Sequence, residues 1–183
     1  QKRAIQRLLT PAERDLGVIV GAGTGSGKTL AFYLPAFLRL GEMVRPGEFW
    51  TKAIAIYPRN ELLKDQLTEA LHNAESLTPV LRAAQRRPLR VAPYYGDTPR
   101  SPTVKSVAQR WKEVRGAGGY LCPFLRCPCG GDMIWTADDL ARREERLTCR
   151  KCSRRTDPDV LILTRERQGR EPPDLLFTTT EML

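Results

Sequence analysis

A glycine-rich loop between a predicted strand and a predicted helix constrains this chain more than any other feature. The loop reads GAGTGSGKT over residues 21–29. The run at 16–20 is apolar and rich in β-branched residues, which predicts a buried strand. The apolar spacing of residues 30–38 predicts a buried helix. A strand, a glycine loop and a helix with Gly-Lys-Thr at the junction form a phosphate-binding arrangement, which predicts a nucleoside triphosphate site.

The residues of this loop have distinct expected roles. Glycines allow backbone N–H groups to converge on phosphate oxygens, and the helix N-terminus adds positive potential. Lys28 is expected to reach the β- and γ-phosphates, and the Thr29 hydroxyl to ligate Mg²⁺, so both are candidate catalytic residues. A glycine-rich hairpin or linker is the alternative, and the flanking segments disfavour it. The candidate nucleotide-binding residues are Ala22, Gly23, Thr24, Gly25, Ser26, Gly27, Lys28 and Thr29.

Length and charge limit the remaining possibilities. A chain of 183 residues with 41% hydrophobic content suits one domain, or one domain with a small insert. No apolar run reaches transmembrane length, and nothing resembles a signal peptide, so we expect a cytoplasmic protein with no membrane partner. The formal net charge of +9 favours a polyanionic partner, with nucleic acid as the leading candidate.

Short apolar runs alternate with amphipathic segments along the chain. We predict strands over Lys52–Tyr57, Leu89–Tyr95 and Asp174–Thr180, with Pro93 marking an edge or an early end. Helices are predicted over 1–9, 61–75 and 104–114, with Asn60 capping the second. The only histidine, His72, is expected to be a solvated helix residue. This alternation predicts an α/β fold with a parallel sheet flanked by helices.

All five cysteines lie between Cys122 and Cys152. A C-x-C pair and a C-x₂-C pair, separated by nineteen residues, resemble the two halves of a zinc ribbon, whose thiolates hold a structural Zn²⁺ tetrahedrally. Cys122 is the spare thiol in the preferred assignment. In the second choice, Cys122 replaces Cys127 as a ligand. Disulfides and buried free thiols are the alternatives. The preferred metal ligands are Cys127, Cys129, Cys149 and Cys152.

A run of basic residues overlaps the second cysteine pair, diluted by Glu144 and Glu145. It suits a mixed-charge solvated surface and a nucleic-acid contact equally well. The run consists of Arg142, Arg143, Arg146, Arg150, Lys151, Arg154 and Arg155.

Five short motifs resemble, in order, those of superfamily 2 DEAD/DEAH-box helicases. AGTGSGKT at 22–29 is similar to motif I, and Gln1 resembles the glutamine motif that recognises adenine. YPRNEL at 57–62 resembles motif Ia. YGDTP at 95–99 matches the YxGDTP segment of one branch of these helicases, and PPDLLFTTTEML at 172–183 resembles the motif Ib region of the same branch. That branch contains large bacterial repair and antiphage-defence helicases, many with a C-terminal zinc-binding domain; a DISARM-like defence helicase is one possibility.

The resemblance implies a RecA-like P-loop NTPase lobe that binds ATP and Mg²⁺. It divides the chain into a helicase lobe over 1–115, a zinc-ribbon-like insertion over 116–164 and a return to the lobe over 165–183. It implies an ATP-dependent helicase or translocase acting on nucleic acid, with DNA favoured over RNA, and repair or defence proteins as possible partners. The implied nucleic-acid contacts are Pro58, Arg59, Asn60, Gly96, Asp97, Thr178, Thr179, Thr180 and Glu181.

The Asp-Glu-x-His motif and the second RecA-like lobe of these helicases do not occur in the sequence. We therefore expect a piece of a longer enzyme that hydrolyses ATP negligibly by itself, because those groups orient the attacking water and stabilise the transition state. The alternatives are a P-loop kinase or other NTPase with a zinc insert, and a non-enzymatic zinc module that binds nucleic acid.

Overall fold

A computed structural model of the chain describes residues 2–10, 18–19, 28–114, 116 and 118–182, with the backbone alone at 28–31. The chain divides into two compact units, Gln1–Met43 and Val44–Leu183. Within the described residues, no helix is long and apolar enough to cross a membrane.

The first unit contains helices α1 (Lys2–Leu9) and α2 (Lys28–Met43), which pack together. The Arg39 guanidinium donates to the Leu9 carbonyl at 2.9 Å and ties the helices at one end. Helix α2 confirms the helix predicted over residues 30–38 and continues past it to Met43, with Pro35 inside the helix. Val18 and Ile19 are exposed and have no strand partner in the described structure, so at these two positions the predicted buried strand is wrong.

The second unit contains a three-stranded parallel sheet, as predicted. It is formed by β1 (Ala53–Tyr57), β2 (Val91–Tyr94) and β7 (Leu175–Thr179) in the order β1-β7-β2. Pro93 lies on β2, an outer strand of this sheet, where a missing N–H costs least. The register aligns the strand ends, because Tyr57 pairs with Thr179 and Tyr94 with Thr178.

The long helix α3 (Asn60–Ala83) follows β1 and contacts all three parallel strands. Leu63, Leu67 and Leu71 form its buried stripe, whereas Leu62 is exposed. The helix extends through Pro79 and is longer than predicted. The predicted cap is also wrong: Arg59 occupies the cap position with an extended backbone, and Asn60 is already helical.

A four-stranded antiparallel sheet forms the cysteine-rich part of the second unit. Its strands are β3 (Glu113–Val114), β4 (Gly119–Arg126), β5 (Asp132–Thr136) and β6 (Thr148–Cys149), in sequence order. The helix predicted over 104–114 is shorter, because α4 ends at Ala108 and residues 113–114 pair with β4 instead. The remaining elements are α5 (Ala137–Ala141), α6 (Arg165–Arg170) and a 3₁₀ helix (Thr180–Met182).

Four aromatic side chains connect the two sheets through an aromatic cluster. Tyr95 follows β2 and meets the Phe124 ring of β4 edge-on at 5.7 Å. The Trp111 indole lies 5.4 Å from Phe124 and 5.6 Å from Trp135 of β5. All four side chains are buried. Because aromatic rings bury large apolar areas, this cluster fixes the antiparallel sheet beside the end of β2.

A buried carboxylate fixes the opposite end of the parallel sheet. Asp174 accepts from the Lys52 ammonium at 2.7 Å, from the Arg87 guanidinium at 2.5 and 2.7 Å and from the Arg90 backbone N–H at 2.9 Å. The side chains of Asp174 and Lys52 are fully buried. The carboxylate therefore joins the starts of β1 and β7 to the segment that leads into β2.

Candidate nucleic-acid interface and metal centre

The three segments expected to contact nucleic acid leave the parallel sheet at the same edge. Residues 58–60 follow β1, residues 95–97 follow β2 and residues 180–181 follow β7. The strands are parallel and end in register, and neighbouring strands lie about 4.8 Å apart. We call these three segments the carboxyl-terminal edge. Loops at this end of a parallel sheet commonly form the ligand site of an α/β protein.

The turn after β2 is held by side chains from elsewhere in the chain. Arg110 donates to the Gly96 carbonyl at 2.7 Å, and the Trp111 indole donates to the Asp97 carbonyl at 2.9 Å. Arg165 donates to the Tyr95 carbonyl at 3.0 Å. Three consecutive carbonyls are thus satisfied, which holds the turn in one conformation. Gly96 is exposed and Asp97 half-buried at this edge.

The segment after β1 is exposed at Pro58, Arg59 and Asn60. Arg59 occupies the position before α3 and makes no side-chain cap to the helix in the described structure. The first backbone N–H groups of α3 therefore have no side-chain acceptor from the cap residue. A guanidinium and free N–H groups together suit an anionic ligand.

The segment at the end of β7 differs from its expectation. Thr178 and Thr179 belong to the strand and are buried, and the Thr178 hydroxyl donates to the Tyr94 carbonyl at 2.8 Å. Their side chains are therefore committed to the sheet. Thr180 and Glu181 lie in the exposed 3₁₀ helix and remain available for contact.

Most of the predicted nucleotide site lies outside the described residues. These positions are Gln1, Ala22, Gly23, Thr24, Gly25, Ser26 and Gly27. The backbone becomes helical at Lys28, so Lys28 and Thr29 form the first turn of α2. A phosphate-binding loop requires a helix to begin at this lysine.

The structure brings together the thiols of Cys127, Cys129, Cys149 and Cys152. Their four sulfur atoms lie within 4.8 Å of one another, and the Cys127–Cys152 and Cys129–Cys149 pairs are each 3.5 Å apart. In a tetrahedral zinc site with Zn–S bonds of about 2.3 Å, the sulfurs lie about 3.8 Å apart. The four thiols therefore have the spacing that Zn²⁺ requires.

The backbone around Cys149 favours its thiolate, whereas burial raises the pKa of the Cys127 thiol to about 12. Burial alone would raise the pKa of Cys149, but hydrogen bonds from the Cys152 and Lys151 backbone and from neighbouring thiols lower its pKa to about 6. Gly131 passes so close that an added Cβ would lie 2.8 Å from the Cys149 sulfur and 2.7 Å from the Lys151 Cβ. Glycine, which has no side chain, therefore allows the backbone to pass this close to the cluster.

Cys122 does not belong to this cluster. It is buried on β4, and burial raises the pKa of its thiol to about 12. Its sulfur is not among the four that lie within 4.8 Å of one another. The geometry therefore favours Cys127 over Cys122 as the fourth ligand.

The metal cluster lies against the middle of α3, away from the carboxyl-terminal edge. Cys127 and Pro128 share a cavity with Thr68, His72 and Glu75 of α3. Arg154 pairs with Glu75 at 2.5 Å. Glu75 is fifteen residues beyond Asn60, about 22 Å along the helix. His72 is exposed, as predicted.

Three of the seven basic residues around the second cysteine pair form ion pairs. Arg142 pairs with Asp139 at 2.9 Å, Arg146 with Glu144 at 3.1 Å and Arg154 with Glu75. The other four are exposed and have no carboxylate partner among the described residues, so this part of the chain is a mixed-charge surface with positive charge left over.

Three residues that organise the edge escaped prediction. Arg110, Trp111 and Arg165 each bind a carbonyl of the turn after β2. Arg165 lies 70 residues beyond Tyr95 in the sequence, so no local pattern joins them. Trp111 lies in the segment predicted to be a helix over 104–114, where no local pattern indicated its burial.

A family model of DEAD/DEAH box helicases matches residues 1–118 of the chain. Comparisons with curated proteins and with solved structures find no match. The match covers more than half of the chain, so the protein belongs to the DEAD/DEAH box helicase family. Family membership implies a RecA-like α/β lobe, use of ATP and Mg²⁺, nucleic-acid binding and a second lobe in the full protein.

Proposed function

We propose that this chain is the ATP-binding first lobe of a nucleic-acid-dependent ATPase that translocates on or unwinds DNA. The observation that carries the proposal is the convergence of residues 58–60, 95–97 and 180–181 at one edge of the parallel sheet. Three separate motifs of a helicase lobe can contact one continuous nucleic-acid strand only if they lie at the same edge of the sheet. RNA is the less favoured substrate.

The chemistry of this edge suits the sugar-phosphate backbone. Arg59 offers a guanidinium, and the start of α3 offers backbone N–H groups. The carboxylates of Asp97 and Glu181 would repel phosphate, so contact at those positions is expected through backbone groups. Recognition of this kind is independent of base sequence, as a translocating enzyme requires.

In the nucleotide site, Lys28 is proposed to hold the β- and γ-phosphates and Thr29 to ligate Mg²⁺. Gln1 is proposed to contact adenine, and residues 22–27 to supply N–H groups to the phosphates. Hydrolysis of the bound ATP supplies the free energy that movement on DNA consumes. The water-orienting motif and the second lobe are needed for efficient hydrolysis, so this chain alone is expected to be nearly inactive.

We also propose that Cys127, Cys129, Cys149 and Cys152 hold one structural Zn²⁺. The spacing of the thiols, the lowered pKa of Cys149 and the close approach of Gly131 support this assignment. Four protein thiolates leave no open coordination position, so the ion would stabilise the insertion rather than catalyse a reaction. A defence role of the DISARM type is a further proposal, supported by the inserted cysteine segment and the TTTEML sequence.

The test is ATP hydrolysis by the full protein with and without single-stranded DNA. We expect DNA to stimulate hydrolysis. Lys28→Ala should lower the stimulated rate by about a hundredfold or more, because it removes the positive charge that stabilises the transferred phosphate. Lys105→Ala, which removes an exposed lysine from α4, serves as the charge-matched control and should retain the stimulated rate. Hydrolysis indifferent to DNA and RNA would contradict the helicase assignment.

A further inference from the structure

Beside the turn after β2 lies a shallow recess lined by two arginines and one glutamate. Its lining residues are Arg100, Arg165 and Glu166. Two backbone hydrogen bonds bring the arginines together, from Arg165 to the Pro99 carbonyl at 3.0 Å and from Glu166 to the Arg100 carbonyl at 2.9 Å. We refer to it below as the Arg100–Arg165 recess.

The Arg165 guanidinium is held in place before any ligand arrives. It lies 4.9 Å from the centre of the Tyr94 ring, and one Nη donates to the Tyr95 carbonyl. A guanidinium has five N–H donors, and the buried Nε of Arg165 has no hydrogen-bond partner among the described residues. A buried donor left unsatisfied is costly, so this Nε keeps hydrogen-bonding capacity that a ligand or an ordered water would satisfy.

The charges of the recess are also unbalanced. Eight arginines of the second unit pair with carboxylates, whereas Arg100 and Arg165 are among the arginines that have no such partner within the described residues. The carboxylate of Glu166 approaches Arg170 at 3.9 Å instead. Two adjacent guanidiniums facing one exposed carboxylate leave net positive charge in the recess. The paired arginines are Arg82, Arg87, Arg90, Arg142, Arg146, Arg154, Arg167 and Arg170.

We infer that the Arg100–Arg165 recess binds a phosphodiester of the single strand that crosses the carboxyl-terminal edge. Arg165 contacts Tyr94 and Tyr95, so the recess directly continues that edge. Guanidiniums bind phosphate oxygens with paired, charge-assisted hydrogen bonds. The inference rests on the proposed function, and it extends the contacts beyond the motifs that predicted that function.

The experiment measures binding of a fluorescein-labelled oligothymidylate to the full protein by anisotropy over a series of salt concentrations. Arg100→Gln is the sharpest variant, because the Arg100 side chain is exposed and makes no hydrogen bond or ion pair within the described residues. We expect Arg100→Gln to weaken binding by about three- to tenfold and to lower the salt slope by about 0.7, the share of one phosphate contact on a single strand.

Arg165→Lys is the second variant, since it keeps the charge but removes the planar fork. We expect weaker binding with a nearly unchanged salt slope. Arg155→Gln is the matched control: Arg155 is exposed, has no carboxylate partner among the described residues, and neighbours Arg154 beside the middle of α3. This control should bind like the wild type, and thermal unfolding should show that all three variants are folded.

The outcomes separate the two proposals. If the wild type binds the strand but Arg100→Gln matches the Arg155→Gln control in affinity and salt slope, the recess is not a phosphate site, while the proposed function stands. If the wild type binds neither DNA nor RNA at low salt, the proposed function fails and the recess fails with it. Inorganic phosphate that binds the wild type but not Arg100→Gln, and that does not displace the oligothymidylate, would instead assign the recess to free phosphate and overturn the inference.

Discussion

At the scale of single residues, Gly131 is the position on which the metal cluster depends most. Its backbone runs beside Cys149 and Cys129, and an added Cβ would lie 2.8 and 3.3 Å from their sulfurs. At 2.8 Å from the Cys149 sulfur the added Cβ would be closer than real Cβ atoms come to a neighbour, so a side chain here must displace that ligand. The preceding Gly130 has a positive φ of 77°, which also favours glycine.

We predict that Gly131→Ala expels the metal. The variant should lose the one zinc per chain expected of the wild type, because the new methyl group occupies the space of the Cys149 sulfur. It should also lower the free energy of unfolding by about 1–3 kcal/mol through overpacking. Elemental analysis and thermal unfolding measure the two effects.

Two variants control this prediction. Gly169→Ala introduces the same methyl group at a helical position with open space around it, and should keep the zinc. Cys122→Ser should also keep one zinc, because its thiol lies outside the cluster. Full zinc content in Gly131→Ala would contradict this prediction, and no zinc in the wild type would refute the proposed centre.

Residue-level prediction from the sequence succeeded where the pattern was local. Two short cysteine pairs indicated four ligands, and the same four thiols lie together. It failed at Asn60, because the chain enters α3 one residue earlier than a capping preference suggests. It could not identify Arg165, whose partner is 70 residues away in the sequence.

At the scale of elements, Glu145 joins the cysteine-rich part of the chain to helix α6. Its buried carboxylate accepts from the Leu163 backbone N–H at 2.6 Å and from the Thr164 N–H and hydroxyl. Thr164 is the residue that caps α6. Arg167 approaches the carboxylate at 3.8 Å, and burial nevertheless raises the pKa of Glu145.

This raised pKa predicts a pH dependence of stability. A carboxyl whose pKa is higher in the folded than in the unfolded state stabilises the fold below its ordinary value of 4.5. That contribution is lost as the pH rises through the folded pKa. The wild type should therefore lose thermal stability relative to Glu145→Gln as the pH increases from about 4 to about 8.

Thermal unfolding at a series of pH values measures this difference. Glu166→Gln, which removes an exposed glutamate from the adjoining helix, controls for the loss of one carboxylate. A wild-type stability that stays parallel to that of Glu145→Gln, or gains on it with rising pH, would show that burial does not control this group.

Elements rich in β-branched and apolar residues were the most predictable. The parallel strands lie within one to two residues of their predicted bounds, because apolar runs specify buried strands directly. The helix predicted over 104–114 was too long because helical spacing of apolar residues also fits Trp111, which is buried instead by aromatic contacts with β4 and β5. Such contacts depend on tertiary structure and have no local signal.

At the scale of the whole second unit, the metal cluster and the carboxyl-terminal edge occupy different places along α3. The cluster lies beside Thr68–Glu75, whereas the carboxyl-terminal edge meets α3 at its first residue, Asn60. The antiparallel sheet nevertheless supports the edge, because the aromatic cluster packs its strand β4 against Tyr95. The metal is therefore expected to act on nucleic-acid binding through the fold rather than by contact.

The order of motifs predicted the family, and the alternation of apolar runs with amphipathic segments predicted the parallel sheet. The relation of the insertion to the sheet was not predictable. It depends on Trp111, Phe124 and Trp135, which meet only after three segments fold together. Net charge indicated an anionic partner without locating its site, since many of the arginines are paired with carboxylates in the structure.

The central claim is that nucleic acid binds at the carboxyl-terminal edge. Photocross-linking of the full protein to a single-stranded oligodeoxynucleotide carrying photoreactive thymine analogues, followed by peptide mass spectrometry, tests it directly. The account predicts cross-links within residues 57–60, 94–100 and 180–182, and none within 127–131 or 149–155. Cross-links concentrated in the two cysteine segments, with the edge unlabelled, would contradict it.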